Sequence, residues 1–302
     1  MQVAVSQSRF DGVDPRFGRS LASLFSASNL RSIADQGHSN VMDYVLRESG
    51  FSEAAGPVDT LGERFEQVYQ YLLRYYRCEY VYKNLLVEKL VFGKHSPNSA
   101  TMIGEFRVGE RKADAVLLNG TSCGFEIKTE LDSLDRLEHQ LTAYMAVFDR
   151  VFVVTHESMQ DELLRKLPPG VGLLCLTRRL TFREARAPAS RKGVAEPRQI
   201  MNSLRRKEYT EVVQRVFGAV PDVSNGRLHA ECSLLFDQMP PDVAHDEMVR
   251  TLFLHRTNPS LRRFVTRIPG SLRAAALMVS LDRGQMERLT LRFREREPVT
   301  RT

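Results

Sequence analysis

Asp114, Glu126 and Lys128 are the residues whose types and spacing best suit chemistry at a metal ion. Carboxylate oxygens and a backbone carbonyl, here that of Ile127, are ligands that Mg²⁺ or Mn²⁺ prefers. Such an ion would neutralise a scissile phosphate and activate a water molecule. Lys128 would hold or deprotonate that water. These residues therefore predict metal-dependent hydrolysis of phosphodiester bonds.

The elements that must position these residues are two strands. Two apolar runs, residues 113–118 and 124–128, are separated by an Asn-Gly turn and predict a β-hairpin. Successive side chains of a strand point to opposite faces, so Glu126 and Lys128 share one face. If the neighbouring strand carries Asp114 to the same end, two carboxylates and an ammonium group converge.

The next segment predicts a helix and a further strand. An N-cap at Asp132 or Ser133 would begin a helix whose apolar residues recur at spacings of three and four. Gln140 and Tyr144 are four residues apart and would lie on one face of that helix. Residues 151–155 are typical of a buried strand. The order strand, strand, helix, strand predicts an α/β core.

The tripeptide from Glu126 to Lys128 is a weak signal alone, because an acid two residues before a lysine is expected about once by chance. Glu110 and Lys112 have the same spacing, but they lie in a polar segment that reads as a turn. The alternative reading is a salt-bridged surface cluster on an ordinary sheet.

The pattern of Asp114, the segment GFEIKTE and the segment QLTAY resembles that of the PD-(D/E)XK, or restriction-endonuclease-like, nucleases. Residues 140–144 resemble the QxxxY motif of the RecB-type branch, and the run FEIKTELDSLDRLEHQLTAY is most similar to small bacterial and phage members. The resemblance covers roughly residues 65–180. It implies a restriction-endonuclease-like core, in which helices flank a mixed central sheet, and Mg²⁺-dependent cleavage of DNA.

The resemblance also implies a role for each matching residue. Asp114 and Glu126 would bind the metal, and Lys128 would serve the attacking water. Gln140 would orient Lys128 or a phosphate, and Tyr144 would contact the DNA backbone or support the site.

The family tends to place a further glutamate on the helix before the sheet, and three residues compete for that role. Glu79 and Glu88 lie on the candidate helix, whereas Glu105 opens what reads as the first strand and would join the metal ligands. The resemblance favours Glu79 as the catalytic glutamate, and the choice stays open.

Composition agrees with a nucleic-acid partner. The net charge is +6 and the isoelectric point is about 9.2, which favours DNA among acidic partners. The basic residues that we expect to contact DNA flank the candidate site or lie near residue 300: Arg107, Arg111, Lys112, Arg136, Arg292 and Arg294.

Four cysteines without CxxC spacing read as reduced packing residues, and no apolar stretch approaches the ~20 residues of a membrane span. We therefore expect a cytoplasmic protein with no membrane contact.

Composition and periodicity divide the chain into four parts. Residues 1–57 are predicted to be a helical and loop extension, 58–181 the nuclease-like core, 182–199 a linker and 200–302 an all-α C-terminal domain. A double-strand cutter would need two sites, which favours a homodimer. The alternative hypothesis is that the protein keeps the nuclease fold but binds nucleic acid or a partner without catalysis. Internal or terminal cutting, DNA or RNA preference and a pathway such as defence are open.

Overall fold

The computed structural model describes residues 9–130, 132–257 and 259–296, which form two compact units. One unit comprises the residues before 85 together with those after 258, and the other comprises residues 85–258. This division differs from the one predicted from composition. The helices between residues 197 and 256 belong with the sheet, and only the later helices join the N-terminal ones.

The unit built from both ends of the described chain is helical. Its helices are α1 Gly18–Ser23, α2 Ala27–Gln36, α3 Asn40–Glu48, α4 Phe51–Ala55, α5 Leu61–Tyr75, α6 Glu79–Leu86, whose last two residues belong to the other unit, and then α13 Pro259–Arg267, α14 Arg273–Met278 and α15 Arg283–Arg292. Thr60 and Glu63 form a capping box that begins α5, as the sequence predicts. Helix α15 packs on α2, where Arg288 Nε donates to the carbonyl oxygen of Ala34 over 2.6 Å.

The unit of residues 85–258 contains a sheet of six strands in sequential order. The strands are β1 Thr101–Val108, β2 Arg111–Leu118, β3 Ser122–Lys128, β4 Arg150–His156, β5 Gly172–Leu176 and β6 Phe182–Arg186. Strands β3, β4 and β5 are parallel, and the other neighbouring pairs are antiparallel. The α/β class and the mixed sheet flanked by helices are therefore confirmed. Strand β6 lies inside the segment that composition assigns to a linker.

Helices of the same unit cover one face of the sheet. They are α7 Leu137–Met145, α8 Gln160–Lys166, α9 Pro197–Ser203, α10 Arg206–Phe217, α11 Asn225–Phe236 and α12 Pro241–Arg256, and a π-helical segment, Val87–Lys94, precedes β1. Leu141, Val153 and Met248 belong to one continuous apolar core beneath these helices. Burial of this core is the main term that holds the helices on the sheet.

Two details of composition are reflected in the structure. All four cysteines are free, and Cys123, Cys175 and Cys232 are buried. Among the described residues, no helix combines the length and the apolar character that crossing a membrane requires.

Candidate active site

The hairpin of β2 and β3 brings Asp114 next to Glu126. Ala115 pairs with Phe125, so the next residues along, Asp114 and Glu126, lie opposite each other and on one face. Asp114 is half-buried, and its Oδ2 accepts a hydrogen bond of 2.7 Å from the backbone N–H of Ile127. The predicted hairpin is confirmed, and Asp114 and Glu126 lie on its two neighbouring strands.

Glu126 and Lys128 form a buried ion pair. Nζ of Lys128 lies 2.9 Å from Oε1 of Glu126, and the side chains are 10% and 2% exposed. Glu126 is next to Val153 in the parallel ladder and therefore faces the apolar core. Burial is the largest influence on this carboxyl group and raises its pKa, although the Lys128 ammonium opposes the rise. The pair is thus not the surface cluster of the alternative reading.

Helix α7 supplies two further side chains to the same group. Gln140 Oε1 accepts a hydrogen bond of 3.2 Å from Lys128 Nζ. The Tyr144 hydroxyl lies 2.9 Å from Glu126 Oε2 and 2.5 Å from the carbonyl oxygen of Lys112. Burial and the nearby Glu126 carboxylate raise the Tyr144 pKa, so this hydroxyl keeps its proton. The i, i+4 spacing predicted from the sequence places both side chains on the site.

Helix α7 begins later than the sequence predicts. The predicted N-cap at Asp132 or Ser133 is wrong, because α7 begins at Leu137 after Arg136. Asp132 Oδ2 instead accepts hydrogen bonds from the backbone and hydroxyl groups of Thr129, at 2.8 and 2.7 Å. The Asp132 carboxylate therefore stabilises the turn after β3 and does not cap α7.

Glu105 lies within β1 and adopts an unusual backbone conformation. Gly104 pairs with Ala115 and Phe106 with Ala113, so Glu105 lies opposite Asp114. Its φ of 51° is in the left-handed region, where a non-glycine residue costs roughly 1–3 kcal/mol. Carboxylate oxygens of Glu105 and Asp114 lie within 4.8 Å of each other. The two acids, one exposed and one half-buried, therefore approach each other across β1 and β2.

Glu79 and Glu88 are the other two candidates for the additional glutamate. Glu79 is the first residue of α6, and its carboxylate pairs with Lys83 one turn later at 2.5 Å. Glu88 lies in the π-helical segment and is half-buried. A catalytic or metal-binding role for either one stays a prediction.

The predicted DNA-binding residues fall into two groups. Arg107, Arg111 and Lys112 lie on the β1–β2 hairpin, and Arg136 is exposed immediately before α7. Arg292 and Arg294 belong to the helical unit and make contacts there. Arg292 Nε donates to the carbonyl oxygen of Gly37 over 2.7 Å, and an Arg294 guanidinium nitrogen donates to that of Arg267 over 3.2 Å.

A buried serine–histidine contact joins the sheet to α12, and sequence reasoning missed it. Ser122 Oγ lies 2.8 Å from His245 Nε2, and His245 Nδ1 lies 3.4 Å from Asp246 Oδ1. Both Ser122 and His245 are completely buried, so no substrate reaches the hydroxyl group and the resemblance to a catalytic triad has no chemical consequence. The contact spans 123 residues, and no local pattern signals it.

Comparisons with known proteins place the chain in a phage family. Residues 74–273 match the family described as bacteriophage P4 protein cII. Protein cII of Enterobacteria phage P4 is 34% identical over 94 residues, which are 30% of this chain and 35% of that protein. The match therefore spans about a third of that relative.

One solved structure shows a weak likeness. It is a protein of unknown function from Silicibacter pomeroyi, 16% identical, and the match covers 42% of this chain and 87% of that one with a TM-score of 0.28. A TM-score this low does not establish a shared fold. The family match covers about two thirds of the sequence, and the chain belongs to the family described as bacteriophage P4 protein cII.

Proposed function

We propose that this protein is a Mg²⁺-dependent nuclease with a restriction-endonuclease-like core, which hydrolyses phosphodiester bonds of DNA in the cytoplasm. One observation carries the proposal. Four residues selected by motif form one hydrogen-bonded group, namely Glu126, Lys128, Gln140 and Tyr144. Asp114 accepts a hydrogen bond from the backbone of β3, the strand that carries two of them. Charged side chains are almost never fully buried unless they are paired, and carboxyl groups with a perturbed pKa are concentrated at functional sites.

The donor set suits a hard divalent ion. Asp114 and Glu105 offer carboxylate oxygens within 4.8 Å of each other, and Glu126 lies opposite Asp114 in the hairpin. A carboxylate has about four acceptor positions, so Glu126 keeps room for a metal beside Lys128 and Tyr144. Mg²⁺ or Mn²⁺ would be held by Asp114, Glu126, the carbonyl of Ile127 and Glu105.

A bound ion would neutralise charge on the phosphate and lower the pKa of a coordinated water. The protein's own contribution is positioning. Glu126 and Gln140 each accept a hydrogen bond from the Lys128 ammonium, which leaves one of its three hydrogens for a further acceptor. From there Lys128 would orient an attacking water or balance developing negative charge. Tyr144 fixes the carboxylate of Glu126 from the helix side.

The geometry of the sheet supports one of the three candidates for the third acid. Glu105 lies opposite Asp114 and has a left-handed backbone conformation that is unfavourable for a non-glycine residue. Because such strain is concentrated at functional sites, we propose Glu105 as the third acid. Glu79 and Glu88 are the competing candidates. Single substitution of each by alanine, with Mn²⁺ binding measured by calorimetry, separates them. Loss of binding in Glu79→Ala but not in Glu105→Ala would reverse our choice.

The central test is cleavage by the purified full-length chain. Wild type in Mg²⁺ is expected to degrade plasmid, linear duplex or single-stranded DNA, and EDTA is expected to stop it. Asp114→Ala and Lys128→Ala should each lower the rate by at least about 100-fold, as loss of a charge-stabilising group does. Glu130→Ala and Lys166→Ala, exposed residues of the same charge types, are the matched controls. An unchanged rate in Lys128→Ala would refute the proposal.

The alternative is a nucleic-acid- or partner-binding protein that lacks hydrolysis. The burial of the ion pair favours it, because both oxygens of Glu126 already have partners, as in a group that only stabilises the fold. DNA binding by wild type without cleavage in Mg²⁺ or Mn²⁺ would establish this function instead. Light scattering on the same preparation would show whether the protein is the homodimer that double-strand cutting favours.

A further inference from the structure

The turn between β5 and β6 carries two adjacent arginines at its tip. Thr177, Arg178, Arg179 and Leu180 form a four-residue turn in which the Leu180 N–H donates to the carbonyl oxygen of Thr177 over 3.0 Å. Arg178 and Arg179 occupy the two central positions and are exposed. Neither makes an ion pair or a hydrogen bond to another described residue, so both guanidinium groups are available to a partner.

The tip is held rigidly. The Thr177 N–H donates to the carbonyl oxygen of Thr181 over 2.9 Å, and the hydroxyl groups of these threonines lie 2.8 Å apart. Leu180 has a φ of 58°, a conformation that glycine ordinarily supplies in this kind of hairpin loop. This conformation is energetically unfavourable for a bulky residue, and backbone strain of this kind is concentrated at functional sites. The backbone of the turn is therefore already ordered before binding, and only the two arginine side chains have to be ordered by a partner.

The register of the sheet places this tip on the edge that carries the candidate site. Lys128 pairs with Thr155 and Thr155 with Cys175, and β3, β4 and β5 are parallel. Two strand spacings and three residues of extended chain separate Lys128 from Arg178, which amounts to roughly 14 Å. Carboxyl ends of parallel strands form the edge at which ligands of open sheets bind.

Other polar and charged groups beside the tip have partners. His156 Nδ1 lies 2.7 Å from Glu130 Oε1, and Arg183 lies 4.0 Å from Glu157. Arg178 and Arg179 add two cations that have no acidic partner among the described residues. Guanidinium groups bind phosphate oxygens with two parallel hydrogen bonds, which makes a phosphodiester backbone the fitting partner.

We propose that Arg178 and Arg179 form a phosphate anchor that binds the DNA backbone a few nucleotides from the bond held at Asp114 and Lys128. The anchor rests on the proposed function only in taking DNA as the ligand. Cleavage is not required for it, so a protein that binds DNA without cutting it would keep the anchor.

The test is binding of a labelled DNA duplex to the full-length chain in EDTA, over a range of salt concentrations. Arg178→Ala with Arg179→Ala should lower the slope of log Kd against log salt by about 1.8, because about 0.9 counterion is released for each phosphate contact. Arg178→Glu with Arg179→Glu should weaken binding at least about tenfold near 0.1 M salt. Arg178→Lys with Arg179→Lys should restore most of the salt slope.

The matched control is Arg165→Glu with Lys166→Glu, the same change of charge on exposed residues of α8. That helix ends on the side where β5 begins, at the opposite edge of the sheet. The control should change Kd less than about twofold. An unchanged slope in the alanine variant, equal losses in tip and control variants, or no DNA binding by wild type would each overturn the anchor. Binding through the tip without cleavage would instead refute only the nuclease.

Discussion

Nζ of Lys128 lies 2.9 Å from Oε1 of Glu126, and both groups are shielded from water on the core face of the sheet. Burial raises the pKa of Glu126, so the folded state binds its proton more tightly than the unfolded chain does. Protein stability attributable to this group therefore declines as pH rises from about 4.3, the ordinary glutamate value, through the raised pKa of the folded state.

Lys128→Met should enlarge this pH dependence, because it removes the cation that opposes the effect of burial. At pH 8 the lone carboxylate should cost about 3–5 kcal/mol of unfolding free energy, and at pH 5 less, since Glu126 then takes up a proton. Guanidinium denaturation at both pH values measures the difference. Lys166→Met breaks an exposed ion pair with Glu162 and should cost no more than about 1 kcal/mol. Equal losses at both pH values in Lys128→Met would contradict the expectation.

Gly124 of β3 lies close to Phe148, in the segment after α7. A Cβ at this residue would lie 2.4 Å from the ring of Phe148, which follows the helix that bears Gln140 and Tyr144. Gly124→Ala should therefore destabilise the protein by about 1–3 kcal/mol, through forced displacement of a fully buried ring. Gly193→Ala is the control, because nothing lies within 4 Å of its added Cβ. A loss in Gly124→Ala no greater than in the control would show that the ring adapts freely.

The left-handed backbone of Glu105 predicts that two substitutions of this residue differ in stability although both lose metal affinity. Glu105→Gly and Glu105→Ala both remove the carboxylate, but only glycine adopts a φ of 51° without cost. The glycine variant should be about 1–2 kcal/mol more stable than the alanine variant in urea denaturation. Both should lose Mn²⁺ affinity to the same extent in calorimetry. An alanine variant as stable as the glycine variant would mean that this backbone carries no strain.

His245 should make stability depend on pH in the opposite sense. Burial lowers its pKa, although Asp246 and Asp149 raise it, and Lys192 also faces the ring. The unfolded chain therefore binds the proton more tightly, and the contribution is complete above about 6.5 and is lost as pH falls toward the folded-state value.

Replacement of His245 by leucine removes this titration and the hydrogen-bond partner that the ring gives to the Ser122 hydroxyl. We expect a loss of about 1–3 kcal/mol at pH 7.5 and a smaller difference from wild type at pH 5.5, measured by denaturation. His139→Gln, at an exposed position, should leave both values unchanged. If His245→Leu loses as much unfolding free energy between pH 7.5 and pH 5.5 as wild type does, other groups are responsible for that loss.

Sequence reasoning works here where the determinants are local. Side-chain alternation places Glu126 and Lys128 on one face, and the four-residue spacing places Gln140 and Tyr144 together, because both periods follow from backbone geometry alone. The Ser122–His245 contact and the left-handed Glu105 depend on packing between segments far apart in sequence. The residues of β6 show only weak alternation of apolar and polar side chains, because this strand lies at the sheet edge and is incompletely buried. Composition therefore indicates a linker at this position.

Because α15 packs on α2, the helical unit is assembled from segments that the ribosome makes at different times. Residues 9–84 are translated before the sheet-bearing unit, and their partners at 259–296 are translated after it. Domains generally fold as units during synthesis, so the sheet-bearing unit is free to form earlier. A messenger cut short after residue 258 would thus release a finished sheet joined to helices with exposed apolar surfaces, a product suited to aggregation or proteolysis.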